Sequence, residues 1–328
     1  MAERVYLNFN YPNGIQGTAT SLTGIRTKDK VIQYVSGFYI IQGAEPISFV
    51  YKGTLLARDI ENINNWHTLT FSSTPERTVV NTVLYGPDAL ENDNIRIVGS
   101  YTITQANGEF GCIYEGPLDG SGQWTILIPT SSEKVLNTIA YSTMGDLVVG
   151  NYQTDSVLGK AFIYNVKTRQ YQEISKPKAL SLTAYGIWHN GKDKYTICGG
   201  FNQPSIILPL DLCYLVDYNI KTGELYNWGE YAYNNDKQGS ISHFDGISKL
   251  SSKSYSLVGV AILRDITPQA FFVPIHRNCA GKFEQQTNWE NINFPTAETT
   301  TGNSVTGTTM IGVATFTNAV NGYAAVLI

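Results

Sequence analysis

Charge is what this chain has least of, and its few charges are not grouped. Asp, Glu, Lys and Arg make up 15% of 328 residues, the net charge is −4, and the Lys and Arg are scattered rather than clustered. A protein that grips a phosphate backbone shows a basic stripe, so nucleic acid is excluded as a partner. Hydrophobic runs of membrane-spanning length are missing too, which excludes a membrane helix. The N-terminal MAERVYLNFN has no basic region followed by an apolar core, so no signal peptide is expected. The chain is expected to be cytoplasmic, or secreted with its signal peptide already removed. Its 26 asparagines include no Asn-X-Ser/Thr sequon, which leans towards a bacterial or intracellular setting.

Cysteine is scarce, at four. Cys112 and Cys198 stand where apolar residues are expected on strands and read as buried thiols. Cys198 and Cys213 fall on neighbouring strands and could pair, although a chain this long needs no staple. The familiar catalytic signatures are absent: no Gly-x-Ser-x-Gly elbow, phosphate loop, His-Glu-x-x-His, Cys-x-x-Cys or EF-hand loop. No cofactor and no metal site are therefore expected. Of the four histidines, His67 and His189 each follow a Trp and His276 lies at a strand end, all readings of surface or packing. Asp119-Gly120-Ser121-Gly122 reads as a tight turn. No apolar stripe at 3.6 spacing persists, so helices of several turns are not expected.

What is present is a repeat. Val98-Gly99-Ser100-Tyr101 has counterparts at Gly37, Gly150, Gly199, Gly259 and Gly312, with spacings of 62, 51, 49, 60 and 53 residues. Wrapping from Gly312 through the C-terminus to Gly37 gives 53 more. Near-equal periods that close on themselves mark a repeat architecture. An earlier landmark, a strand-like run before a small residue, precedes Gly24, Gly86, Ser142, Gly186, Gly246 and Gly307. In four repeats it lies thirteen residues before the second glycine. A third run follows, as in Phe49-Val50-Tyr51 and Phe271-Phe272-Val273, rich in β-branched and aromatic residues. A fourth strand is announced by Tyr6, Trp66, Trp124, Tyr171, Trp228 and Trp289.

Four short strands per unit resemble the blade of a six-bladed β-propeller, and the resemblance covers the whole chain. It implies an all-β fold of four-stranded antiparallel blades, a single domain spanning residues 1–328. The last unit has only three strands before Ile328, so Arg4–Phe9 is expected to supply its outer strand and leave no open edge. No particular family's signature is matched, and the architecture hosts lectins, scaffolds, hydrolases, lyases and cyclases.

The innermost strands surround a central channel, and their residues are the candidate site. The positions just before the first landmark are Thr23, Tyr85, Tyr141, Tyr185, Asp245 and Thr306. Two places earlier stand Ser21, Val83, Ile139, Thr183, His243 and Ser304, on the same strand face. The tier between them, Leu22, Leu84, Ala140, Ala184, Phe244 and Val305, reads as blade packing. One arc is thus tyrosine-rich and faces His243 and Asp245, which break the repeat pattern, and such breaks are where function is expected. The bland alternative is that the tyrosines and Asp245 merely satisfy one another's hydrogen bonds. Thr20, Thr82, Thr138, Ser242 and Asn303, with Asn81 and Asn137 beside them, are expected to form a polar tier at the channel mouth. The connection Asn202–Asp211 carries Ile206, Ile207, Leu208 and Leu210, which suggests a lid or a protein-partner surface.

Three functions fit these residues. The first is a module binding a small molecule, such as a carbohydrate, at one asymmetric central site through Tyr85, Tyr141, Tyr185, His243, Asp245, Asn81, Asn137 and Asn303. The second is an enzyme, a lyase, cyclase or hydrolase, using His243, Asp245 and Tyr185 for acid–base chemistry. The third is a protein-interaction scaffold. Because the inner tiers differ from blade to blade, a ring of identical lectin sites is disfavoured.

Overall fold

The computed structural model of the chain describes residues 3–15, 17–29, 31–104, 108–155, 159–203, 210–235, 241–262, 267–286 and 288–327. Strands in chain order begin with β1 (Arg4–Asn8). The first blade is β2 (Ala19–Thr27), β3 (Gln33–Ile40), β4 (Ile47–Gly53) and β5 (Trp66–Thr68). The second is β6 (Val79–Ala89), β7 (Ile95–Ile103), β8 (Phe110–Gly116) and β9 (Gln123–Leu127). The third is β10 (Val135–Met144), β11 (Leu147–Thr154), β12 (Lys160–Asn165) and β13 (Gln170–Ile174). The fourth is β14 (Ser181–Gly191), β15 (Lys194–Gln203), β16 (Leu210–Asn219) and β17 (Glu224–Tyr231). The fifth is β18 (Ile241–Ser251), β19 (Ser254–Ile262), β20 (Pro268–His276) and β21 (Glu290–Asn291). The sixth is β22 (Thr299–Thr306), β23 (Thr309–Phe316) and β24 (Ala319–Leu327), completed by β1.

The protein is a six-bladed propeller of antiparallel four-stranded sheets, with β2, β6, β10, β14, β18 and β22 packed side by side around the axis. Ring closure follows from β1 pairing with β24, Arg4 opposite Leu327 and Asn8 opposite Tyr323. The Arg4 guanidinium fixes this strand by donating to both oxygens of Glu290, at 2.8 and 3.0 Å, across to the fifth blade. The backbone leaves β1 through Phe9, whose fully buried ring meets Tyr51 and Trp66 edge-on at 4.9 and 5.5 Å.

The glycines of the second landmark have one physical cause, backbone crowding. A Cβ on Gly99 would lie 2.1 Å from the Val83 carbonyl oxygen, and the equivalent clashes on Gly37, Gly150, Gly199, Gly259 and Gly312 are 1.7–2.2 Å. The earlier landmark packs blade against blade: a Cβ on Gly24 would meet Gly86 Cα at 2.7 Å, and one on Gly246 would meet Ser304 Cα at 2.7 Å.

In the sixth blade the first landmark is Ser304 rather than Gly307. Gly302 pairs with Gly312 as Leu22 pairs with Gly37, which puts Asn303, not Thr306, in the inward tier, and Thr301 two places before it. Gly307 instead turns the β22–β23 hairpin at φ +57°, a left-handed conformation that glycine adopts at little cost. The intervening tier is buried as expected, with Gly302 in place of Val305.

Among the described residues no helix is long and apolar enough to cross a membrane. Cys112, Cys198, Cys213 and Cys279 are all free thiols, so Cys198 and Cys213 are not joined.

Candidate functional site

Every inner strand carries a β-bulge at the same height: the ladders shift register between Leu22 and Gly24, Leu84 and Pro87, Ala140 and Ser142, Ala184 and Gly186, Phe244 and Gly246, and Gly302 and Ser304. A bulge re-aims the side chain it displaces. Here the displaced residues are Thr23, Tyr85, Tyr141, Tyr185, Asp245 and Asn303, and all six line one central cavity of about 240 Å³.

The tyrosines form a continuous aromatic arc. Tyr85 and Tyr141 meet edge to face at 4.9 Å, Tyr141 and Tyr185 at 4.7 Å, and Tyr185 lies 5.3 Å from the imidazole of His243. Burial raises all three phenols above their ordinary pKa, that of Tyr185 to about 12. Their hydroxyls therefore stay protonated and can donate to a guest.

Opposite this arc, His243 Nδ1 and Asp245 Oδ1 are 2.8 Å apart. Asp245 lines the cavity, whereas His243, packed against Tyr185, is not among its lining residues. Their side chains keep 14% and 29% of their surface open, so a ligand or water can reach both. Burial pushes the Asp245 carboxyl up, against the pull of His243. Burial also opposes charge on His243, but the neighbouring Asp245 outweighs it and raises the imidazole pKa.

Arg26 was not among the residues the sequence singled out. It is 6% exposed and reaches across the axis from β2 to donate to the Ile187 and Ile247 carbonyls, at 2.9 and 3.2 Å, and to Ser142 Oγ at 3.3 Å. Its guanidinium thereby obstructs the channel below the tyrosine tier and forms part of the cavity wall. Its Nε is buried without a partner, and burial lowers its pKa against the raising effect of Asp88. The signal in the sequence was slight: one basic residue two places beyond Gly24, where the other blades carry Asp88, Met144, Trp188, Ser248 and Thr306.

The mouth tier is placed differently from the expectation. Thr20, Thr82, Thr138 and Ser242 are buried, and three of them accept hydrogen bonds from incoming backbone: Thr20 from Tyr11 N at 3.0 Å, Thr82 from Phe71 N at 2.9 Å and Ser242 from Tyr233 N at 3.4 Å. Thr300 does the same for Phe294 N at 3.2 Å, in the place assigned to Asn303. These hydroxyls clamp blade connections because a buried amide needs an acceptor. Asn81 accepts from Thr102 Oγ1 at 3.1 Å and does not line the central cavity. Asn137 lines a separate cavity of about 380 Å³ beside Tyr141, together with Glu109 and Asn151. There the Glu109 carboxyl is raised by burial, and Asn151 Oδ1 is buried without a partner.

Of the apolar connection, Asn202 pairs with Asp211 and Gln203 with Leu210. Ile206, Ile207 and Leu208 lie outside the described residues. His67 sits on β5, His189 stacks on Tyr195 at 4.6 Å, and His276 ends β20. The Asp119 carboxylate accepts from Ser121 N and Oγ, closing a turn. Among the described residues no group of three or more His, Cys, Asp or Glu side chains could hold a metal ion.

No protein-family model and no curated protein matches the sequence. Solved structures do match in shape. A sialidase from Trypanosoma rangeli superposes with a TM-score of 0.53 at 8% identity, over 99% of this chain and 59% of that one. An arabinanase from Bacillus subtilis gives 0.41 at 10% identity, covering 98% and 97%, and an endo-arabinanase from Bacillus licheniformis 0.41 at 15%, covering 84% and 99%. At these identities the likeness is one of fold, and it transfers neither an activity nor a residue to this chain.

Proposed function

We propose that the protein binds one small polyhydroxylated ligand, a carbohydrate, in the central cavity. The observation that carries this reading is the arc of Tyr85, Tyr141 and Tyr185 facing Asp245 and Asn303 across a cavity of about 240 Å³. Aromatic walls with a few convergent polar groups suit a ligand that has both C–H faces and hydroxyls. Because the six blades contribute Thr23, three adjacent tyrosines, Asp245 and Asn303 to the tier, the site is single and asymmetric. The similar structures include carbohydrate-active proteins by name, which accords with this reading without bearing its weight.

The test is calorimetric titration with neutral monosaccharides and disaccharides and with their uronic acids, on the wild type and on Tyr141→Ala and Asp245→Asn. Saturable binding that both changes weaken supports the proposal. No binding across the panel, or binding indifferent to both changes, overturns it.

The 2.8 Å His243–Asp245 hydrogen bond favours a second reading, acid–base catalysis in the same cavity. Turnover of a bound sugar derivative that His243→Ala abolishes while affinity persists would establish the enzyme. Equal loss of both properties would leave a binding module.

A further inference from the structure

At the other end of the inner strands, where β14 and β18 turn into β15 and β19, a second cavity of about 420 Å³ opens between the fourth and fifth blades. Lys194, Lys249 and Lys282 line it, and Asp217 is the one carboxylate in its wall. Asp217 is already saturated. Arg277 takes both its oxygens, at 2.6 and 2.8 Å, while Thr196 and Asn227 each add a hydrogen bond at 2.8 Å. Arg277 is held equally firmly by Tyr255 and the Gly281 carbonyl, with Phe283 stacked 4.1 Å away. The buried pair therefore cancels its own charge and stiffens the cavity floor.

The three lysines make no ion pair among the described residues. Tyr226, also in the wall, has no side-chain hydrogen bond among the described residues, and its hydroxyl offers a phenolic donor. In a chain of net charge −4, three lysines on the wall of one concavity, set against a single carboxylate that Arg277 already occupies, give that concavity a local positive potential. We propose that this cavity is a second binding site, for a tetrahedral dianion: free phosphate or sulfate, or the phosphoryl or sulfuryl group of a larger ligand. Lysines meet such an anion as point charges from several directions, whereas Arg277 is fully engaged and contributes only the scaffold.

The experiment is titration of the full chain with inorganic phosphate, and separately with inorganic sulfate, at low and constant ionic strength, with chloride as control. The comparison is the triple variant Lys194→Gln, Lys249→Gln, Lys282→Gln. Its melting temperature should match the wild type, because none of these side chains is part of the core. Saturable binding is expected, weakened on the order of tenfold or more in the triple variant and weakened by added salt. Asp245→Asn, in the other cavity, should leave it unchanged. Preference for one anion identifies the phosphoryl or sulfuryl source, and equal binding identifies a general dianion site. The proposal is overturned if neither anion binds saturably, if chloride has the same effect at equal ionic strength, or if the triple variant binds as the wild type does.

Discussion

His243 keeps its proton to higher pH than a free imidazole because Asp245 more than offsets the burial that opposes its charge. A raised pKa means that the stability it contributes is complete below its ordinary 6.5 and is lost as pH rises through the folded value. Asp245, raised chiefly by burial, acts in the same direction from its ordinary 3.8 upward. The melting temperature is therefore expected to fall as pH rises through both windows, and to fall less in Asp245→Asn. NMR titration should show His243 above 6.5 in the wild type and lower in Asp245→Asn. An unshifted His243, insensitive to that change, would sink the coupling. The second residue-scale expectation concerns crowding around the same imidazole. A Cβ on Gly200 would lie 2.7 Å from His243 Cβ, so Gly200→Ala should displace the ring and shift its titration, at a cost of about 1–3 kcal/mol in chemical denaturation. At this scale the sequence was readable where a residue broke its own repeat, as His243 and Asp245 do. Arg26 was not readable, because its importance comes from crossing the axis to Ile187 and Ile247, carbonyls that nothing in local sequence brings near it.

The strands themselves were legible from glycine and aromatic spacing, because each glycine of the second landmark answers to a specific close approach of backbone. The bulges were not, since one extra residue leaves no compositional mark. The sixth inner strand was misaligned by three residues because a turn glycine, Gly307, resembled the landmark while Ser304 filled the true position. That displacement also moved Asn303 from a supposed mouth tier into the cavity wall. At the level of elements the sharpest expectation concerns β1. Deleting residues 1–10 removes one full ladder, the Arg4–Glu290 pair and the buried Phe9. Loss of a buried Phe alone costs about 3–5 kcal/mol, so the melting temperature should drop by on the order of 10 °C or more. A truncated chain melting like the full one would refute closure by this strand.

For the molecule as a whole, the number of blades and the closure were readable because the interval from Gly312 round to Gly37 matches the other periods. The cavity's volume and its obstruction by Arg26 were not, because they depend on how six strands tilt around a common axis. Arg4 stands opposite Leu327 in the ladder, so the two ends of the described chain already face each other across one hairpin's width. A circular permutant that joins them with a short turn and opens between β1 and β2, before Gly17, should keep the fold and melt within a few degrees of the parent. Collapse of that permutant would mean that the connection from Phe9 to Ala19 is needed intact.

The same ladder sets a timetable. β1 precedes every other strand of the propeller in synthesis, and its partner β24 follows them all. At about 5–20 residues per second, β1 waits on the order of tens of seconds with an unpaired edge. Five blades can complete themselves from neighbouring sequence during that interval, but the sixth cannot. In vivo the open ring is thus an obligatory nascent-chain state, and chaperone dependence should concentrate there and vanish in the permutant, whose sixth blade is contiguous in synthesis as well as in space.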